Sequence, residues 1–166
     1  HKNPKTDFLY TDDDKISEHG QHFSPQFKPD WSPELLLSYC YVSHMKVVRS
    51  SKSQEIGHFR AGFDGAQDYD YVLRLTEICR EIGHIPHILY HWRAVLGSTA
   101  MNGAAKPRAF DAALTALKDT LQRQNITAEV QQPKWAINES LGIFSMRFPD
   151  EGPEVTLLIP SRNNPT

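Results

Sequence analysis

Three consecutive aspartates, Asp12, Asp13 and Asp14, and three closely spaced histidines, His84, His87 and His91, are the first residues of this chain to examine for chemistry. Carboxylate oxygens suit hard divalent cations, but the spacing is not that of a calcium loop, because Ile16 and Glu18 stand where ligands are needed and Gly20 where no tight turn is. A solvated acidic loop is the plain alternative. The histidine spacings of three and four would suit one face of a metal-binding helix, yet the surrounding residues read as a strand. There His84 and His87 face opposite ways, and His87 and His91 share a face ~13 Å apart, so the three cannot hold one ion. His91 alone sits where the strand runs out beyond Trp92 and Arg93, and both a structural and a functional use stay open. A small metal hydrolase is disfavoured, because nothing in the sequence brings a histidine to the aspartates.

Asp68 lies at the start of a helix, where its carboxylate stabilises the first turn against the positive end of the helix dipole. The same field keeps it ionised, as a general base requires. Trp31, between Asp30 and Ser32-Pro33, is either a hydrophobic clamp or an aromatic face on which a sugar ring stacks.

The elements that must position these residues follow from local pattern. Asp7 to Thr11 is a short strand whose carboxyl end is expected to open into a loop through Asp12 to Lys15, with a hairpin or loop at Glu18 to Gln21. Ser32 then Pro33 reads as a helix cap and first turn, leading into Leu35 to Leu37. Met45 to Arg49 is a strand, and Ser50 to Ile56 a short helix stopped by Gly57. Asp64 and Gln67 are placed to form a capping box for a helix whose apolar positions Val72, Leu75, Cys79 and Ile82 share one face, with Gly83 ending it. His84 to Trp92 is the next strand, with Pro86 near its start. After a loop around Gly97 to Gly103, Phe110, Ala113, Leu114, Leu117 and Leu121 mark a second long helix. Short strands are expected near Ala128 to Gln131 and Gly142 to Phe148, then a linker at Pro149 to Pro153, then a buried-type strand at Val155 to Ile159.

At 166 residues the chain is the size of one ordinary domain. With 18 basic and 20 acidic residues its net charge is -2, and no cationic cluster is present, which argues against nucleic acid or an anionic membrane surface as a partner. No apolar run approaches the ~20 residues of a membrane span. Two cysteines, Cys40 and Cys79, fit a reducing compartment, with a single disulfide between them the alternative that sequence leaves open. The first residue is histidine and no leader follows it, so the sequence is expected to be a piece of a longer protein.

Taken in order, Tyr10-Thr11-Asp12-Asp13-Asp14-Lys15, Phe27 to Leu36, Gly57-His58-Phe59-Arg60, Gly65-Ala66-Gln67-Asp68-Tyr69-Asp70, Leu89-Tyr90-His91-Trp92-Arg93 and Gly97-Ser98-Thr99-Ala100 resemble family 2 glycosyltransferases of the GT-A fold. The likeness is to bacterial members of the polysaccharide and O-antigen type, over about residues 7 to 125. It implies an α/β fold, with a mixed sheet and flanking helices, of which the C-terminal, acceptor-side half is present at 1–125. Residues 126–153 would be short strands and linker. Residues 154–166 are similar to the first strand and Pro-x-x-Asn turn of a second such domain. The implied activity is inverting transfer from a nucleotide-diphospho-sugar donor to a glycan acceptor in cell-surface polysaccharide synthesis, in the cytoplasm or at the inner face of the membrane. Asp68 matches the base, with Gln67 in place of the acid that usually precedes it. Trp31 matches the acceptor-side loop, and His91 and Arg93 match the region that closes over metal and pyrophosphate. The family's divalent cation, Mn or Mg, sits on an Asp-x-Asp motif in an N-terminal nucleotide-binding half upstream of this segment, so none is expected to bind here. Asp12 to Asp14 look like that motif but align with the strand after it. The competing class is a non-catalytic scaffold or glycan-binding domain that keeps the transferase shape.

Overall fold

The aromatic and β-branched run that begins at Phe8 is a strand, but in the computed structural model, which describes residues 4–95 and 107–158, it does not stop at Thr11. Strand β1 (Phe8–Ile16) carries the three aspartates inside it, and all three are buried. The expected acidic loop is therefore a central strand. The reason is that β1 is paired on both edges: β4 (Ile82–Arg93) runs parallel along its whole length. On the other edge, β3 (Lys46–Val48) lies antiparallel against Phe8 to Tyr10, and β2 (His22–Gln26) antiparallel against Asp13 to Ile16. The sheet is mixed and the architecture α/β.

Local signals set most of the helices. In α1 (Pro33–Ser38) the Ser32 hydroxyl accepts the Leu35 N–H at 3.3 Å, with Pro33 in the first turn. Helix α2 (Ser50–Ile56) ends at Gly57, whose φ of 76° only glycine adopts without strain. Helix α3 (Gln67–Ile78) departs from expectation at both ends. Its N-cap is Ala66, with no capping box from Asp64; instead the Gln67 side chain accepts the Gly65 N–H at 2.7 Å. Its C-cap is Cys79 rather than Gly83, because the buried Asp7 carboxylate takes the Arg80 N–H at 3.0 Å while the Glu81 carbonyl accepts the Asp7 N–H at 2.9 Å. These bonds draw the chain out of the helix and into β4 at Ile82. Gly83 then lies in the strand opposite Leu9, where a Cβ would come within 2.8 Å of the Leu9 side chain.

Helices α1 and α3 supply Leu36, Tyr69, Val72, Leu73 and Leu75 to a core that includes Phe8 and Tyr10 of β1. Helix α4 (Pro107–Arg123) packs on α3, and its buried face is formed by Ala109, Ala112, Ala113, Ala116, Leu117 and Leu121. Of the expected stripe, Phe110 and Leu114 lie at its half-buried margin. The loop expected around Gly97 to Gly103, and the Gly97 to Ala100 block, lie outside the described residues.

A two-stranded antiparallel sheet, β5 (Glu129–Gln131) with β6 (Ser145–Arg147), encloses the short helix α5 (Lys134–Asn138). It adds Val130, from β5, to the core, where Phe144 also packs, and the Phe144 N–H donates to the Ser38 carbonyl at 2.8 Å. Residues 126–148 are thus packed onto the main body. Beyond them, 151–158 form no strand, and Val155, Leu157 and Leu158 are exposed. No helix among the described residues is long and apolar enough to cross a membrane.

Candidate functional site

Strand β4 uses twelve residues to run beside the nine of β1. The surplus is taken up where pairing jumps from Thr11 opposite Ile85 to Asp12 opposite Ile88, and again before Asp13 opposite Tyr90. Pro86 falls in the first jump, where its missing N–H costs no ladder bond. Because an odd number of residues is inserted, the alternation of side chains is reversed beyond the bulge. His84 and His91, which a regular strand would point to opposite faces, both reach carboxylates of β1. His84 Nε2 is 2.7 Å from Asp12 Oδ1, and His91 Nδ1 is 2.5 Å from Asp14 Oδ1. The hairpin brings a third imidazole, with His22 Nδ1 2.9 Å from Asp14 Oδ2.

Histidines therefore do meet the aspartates, against the expectation from sequence. The side chain of Asp14 is 8% exposed, whereas those of His22 and His91 are 51% and 46% exposed, so the carboxylate forms the floor of the cluster and the imidazoles open to solvent. The His22 and His91 rings meet edge to face, 4.5 Å between centroids. Burial works to raise the Asp14 carboxyl, but hydrogen bonds from His91 and His22 outweigh it and hold the group below its ordinary range.

The other two aspartates are committed elsewhere. Asp12 accepts the Lys28 N–H at 3.0 Å as well as facing His84, whose ring stacks on Tyr10. Asp13 lies 2.6 Å from the buried Lys28 ammonium, which also donates to the carbonyls of Thr11, Val42 and His44. Asp13 is thus paired with a buried lysine rather than open to a cation.

Asp68 stands on the first turn of α3 with its side chain 45% exposed, its Oδ2 3.5 Å from the Lys46 ammonium. Gln67, beside it, stabilises the turn before the helix. Asp70, on the same first turn, is a structural anchor: it is fully buried and held by Arg60 and Arg74, and Arg60 also reaches Asp119. Trp31 is half-buried, tilted against Tyr41 with 6.4 Å between centroids, rather than projecting from its loop. Arg93 is exposed at the end of β4, paired with Ile16. No side-chain hydrogen bond, ion pair or ring contact among the described residues joins Trp31, Gln67, Asp68, His91 and Arg93 to one another. On the other face of β4, His44 stacks on Tyr90 and meets Trp92 edge to face, and burial pushes its pKa down.

Sequence reasoning missed His22 and the pairing of His84. The signal for His22 was the turn after Ile16, since a return strand starting at residue 22 must bring that residue beside the end of β1. Cys40 and Cys79 are both free thiols, and burial raises each to about 11, which makes them inert at neutral pH.

No family model matches the chain. It is similar to the O-antigen biosynthesis protein RfbC of Myxococcus xanthus, 41% identical over 163 residues, which is 98% of this chain and 12% of that protein. It is also similar to the uncharacterized protein y4gI of Sinorhizobium fredii (strain NBRC 101917 / NGR234), 42% identical over 168 residues, covering 97% of this chain and 18% of the relative. The chain thus spans under a fifth of the length of either relative.

Proposed function

We propose that this chain is the acceptor-side half of an inverting glycosyltransferase domain, of the GT-A fold and family 2, acting in bacterial cell-surface polysaccharide synthesis at the cytoplasmic side. The relative named for O-antigen biosynthesis supports the setting. The observation that carries the chemistry is Asp68, a half-exposed carboxylate on the first turn of a packed helix, whose Oδ1 accepts the Tyr69 N–H at 2.9 Å while its Oδ2 lies 3.5 Å from the Lys46 ammonium. A group so placed can take the proton of an acceptor hydroxyl as that oxygen attacks the anomeric carbon of the donor in line. Positioning and electrostatics supply most of the remaining rate. Gln67 holds the turn that presents Asp68, Trp31 borders the acceptor side, and His91 and Arg93 end the strand nearest the diphosphate. The nucleotide, and the Mn or Mg ion that neutralises the leaving diphosphate, belong to an N-terminal half outside this chain. Residues 154–166 begin a second domain.

The second reading, a transferase-like scaffold or glycan-binding domain, draws on the use of Gln67 as a local brace where an acid would otherwise stand. Sugar transfer by the chain extended upstream separates the two. Asp68→Asn should lower turnover by ~10²–10⁴-fold with nucleotide affinity unchanged. Full turnover in that variant removes the base assignment, and glycan binding with no turnover by the unmodified extended chain favours the scaffold.

A further inference from the structure

We propose that His44, Tyr90 and Trp92 form the surface on which a sugar ring of the acceptor lies, beside Asp68. The word acceptor rests on the transferase reading; the surface itself takes an uncharged pyranose ring whether or not transfer follows. Large aromatic side chains on a small domain ordinarily serve its core. Tyr90 and Trp92 do not, for both are half-exposed and neither belongs to the core cluster or packs against it. Trp31, the aromatic that the sequence offers for a sugar contact, is instead packed against that core and tilted on Tyr41.

The three rings make a corner. Tyr90 and Trp92 are two residues apart on β4 and so project to one side of it. His44, from the chain before β3, lies 30° from parallel to Tyr90 with 4.8 Å between centroids, and 73° from the plane of Trp92 at 5.3 Å. The corner is fixed in advance. The His44 carbonyl accepts from the buried Lys28 ammonium, the Met45 N–H donates to Thr11 Oγ1 at 3.3 Å, and the Met45 carbonyl accepts the Thr11 N–H at 3.2 Å. Tyr90 and Trp92 are held beside Asp13 and Lys15 of β1. Rings ordered before a ligand arrives lose little entropy when it binds.

The chemistry of the corner selects the ligand. A pyranose ring carries a face of weakly positive C–H groups, which packs on the negative face of an aromatic ring, and hydroxyls at its edge that need hydrogen-bond partners. Burial pushes the His44 pKa down, so the imidazole is neutral at pH 7 and the three rings present no charge. The partners for the edge stand alongside. Lys46 follows His44 by two residues, its ammonium is 3.5 Å from Asp68 Oδ2, and both charges act on the His44 ring. A sugar in the corner therefore finds a donor in Lys46 and an acceptor in Asp68, the group that takes the hydroxyl proton. A nucleobase, the other flat partner of aromatic residues, is held best between two parallel faces, and here the near-parallel pair, His44 and Tyr90, is already closed on itself.

The test is titration of the isotope-labelled chain with the methyl glycosides of glucose, galactose, mannose and rhamnose, and separately with uridine, followed by NMR through the indole N–H signals of Trp31, Trp92 and Trp135. A saturable shift of the Trp92 signal with at least one glycoside is expected, with Trp31 and Trp135 unmoved. His44→Ala and Tyr90→Ala should each weaken that binding roughly 3- to 10-fold, the worth of one aromatic contact. Phe59→Ala, which removes an exposed ring that packs on Tyr71, should leave it unchanged. The shift in the unmodified chain needs no variant, so a folding failure in either alanine form does not block the test. No saturable shift with any glycoside, a shift of Trp31 in place of Trp92, a shift with uridine alone, or unchanged affinity in both His44→Ala and Tyr90→Ala would each overturn the proposal. The transferase reading fails differently: sugar binding at Trp92 with no transfer by the chain extended upstream keeps this surface and removes that reading, while loss of turnover in Asp68→Asn with no shift at Trp92 does the reverse.

Discussion

The Lys28 ammonium lies 2.6 Å from the Asp13 carboxylate, and both side chains are 5% exposed or less. Burial pulls the lysine pKa down and Asp13 pulls it back up, so each charge is tolerated only because the other is there. The ammonium also binds the carbonyls of Thr11 and Val42, at 2.7 and 3.0 Å, tying β1 to the chain before β3. Lys28→Met leaves Asp13 buried and unpaired and is expected to cost ~3–5 kcal/mol in denaturant unfolding. Adding Asp13→Asn to that variant should recover part of the loss. A double variant no better than the single would mean that the carbonyl contacts, not the ion pair, carry the lysine's effect.

Acid stability should depend on Asp7. The hydrogen bonds from the Arg80 side chain and backbone, against the effect of burial and joined by Arg49, hold this carboxyl well below its ordinary range. A carboxylate depressed in the folded state adds stability that is complete above its unfolded pKa, about 3.9, and disappears as pH falls through the lower folded value. Asp7→Asn should therefore be less stable than the parent at neutral pH, and its stability should fall less steeply below about pH 4. Parallel pH profiles for the two proteins would count against Asp7 as the source.

How legible these features were in sequence depended on how far their causes lay along the chain. The Ser32 cap, the Gly57 stop and the apolar face of α3 at Val72 and Leu75 are set by neighbours within a turn or two, and they stand where the residues point. Asp12 and Asp14 read as a loop because three adjacent acids are costly inside a strand unless paired. Their principal partners, His84 and His91, are 72 and 77 residues away. A similar separation hid the end of α3, which the Asp7 carboxylate terminates from 73 residues away in sequence. The local pattern puts His91 on a strand, but the face it takes depends on inserted residues whose local sign is Pro86.

Donor binding should be weak in this chain on the transferase reading, since Asp12 and Asp13, two of the three acids in the run that resembles a metal motif, are occupied by His84 and Lys28. Calorimetry with uridine and thymidine diphospho-sugars in the presence of manganese is expected to show no micromolar affinity. Tight binding that requires manganese would relocate the donor site into this half.

The segment after Pro149 should contribute nothing to the stability of the body before it. Val155, Leu157 and Leu158 are 80%, 81% and 88% exposed, far from what an apolar strand needs to be worth ordering, and 151–158 pair with no strand. The nearest tie is the Arg147 to Asp150 pair at 4.0 Å, both ends in solvent, and such pairs are worth ~0–1 kcal/mol. Limited proteolysis should cut beyond Pro149 before it cuts α3. A chain ended at Phe148 should unfold within ~0.5 kcal/mol of the parent and stay soluble at higher concentration, since three exposed apolar side chains able to add to another molecule's sheet edge are gone. The outcome that would sink this expectation is amide protection at Val155 to Leu158 equal to that of Val72 to Ile78 in a monomer, because only a strand docked on the main body would slow exchange to that degree.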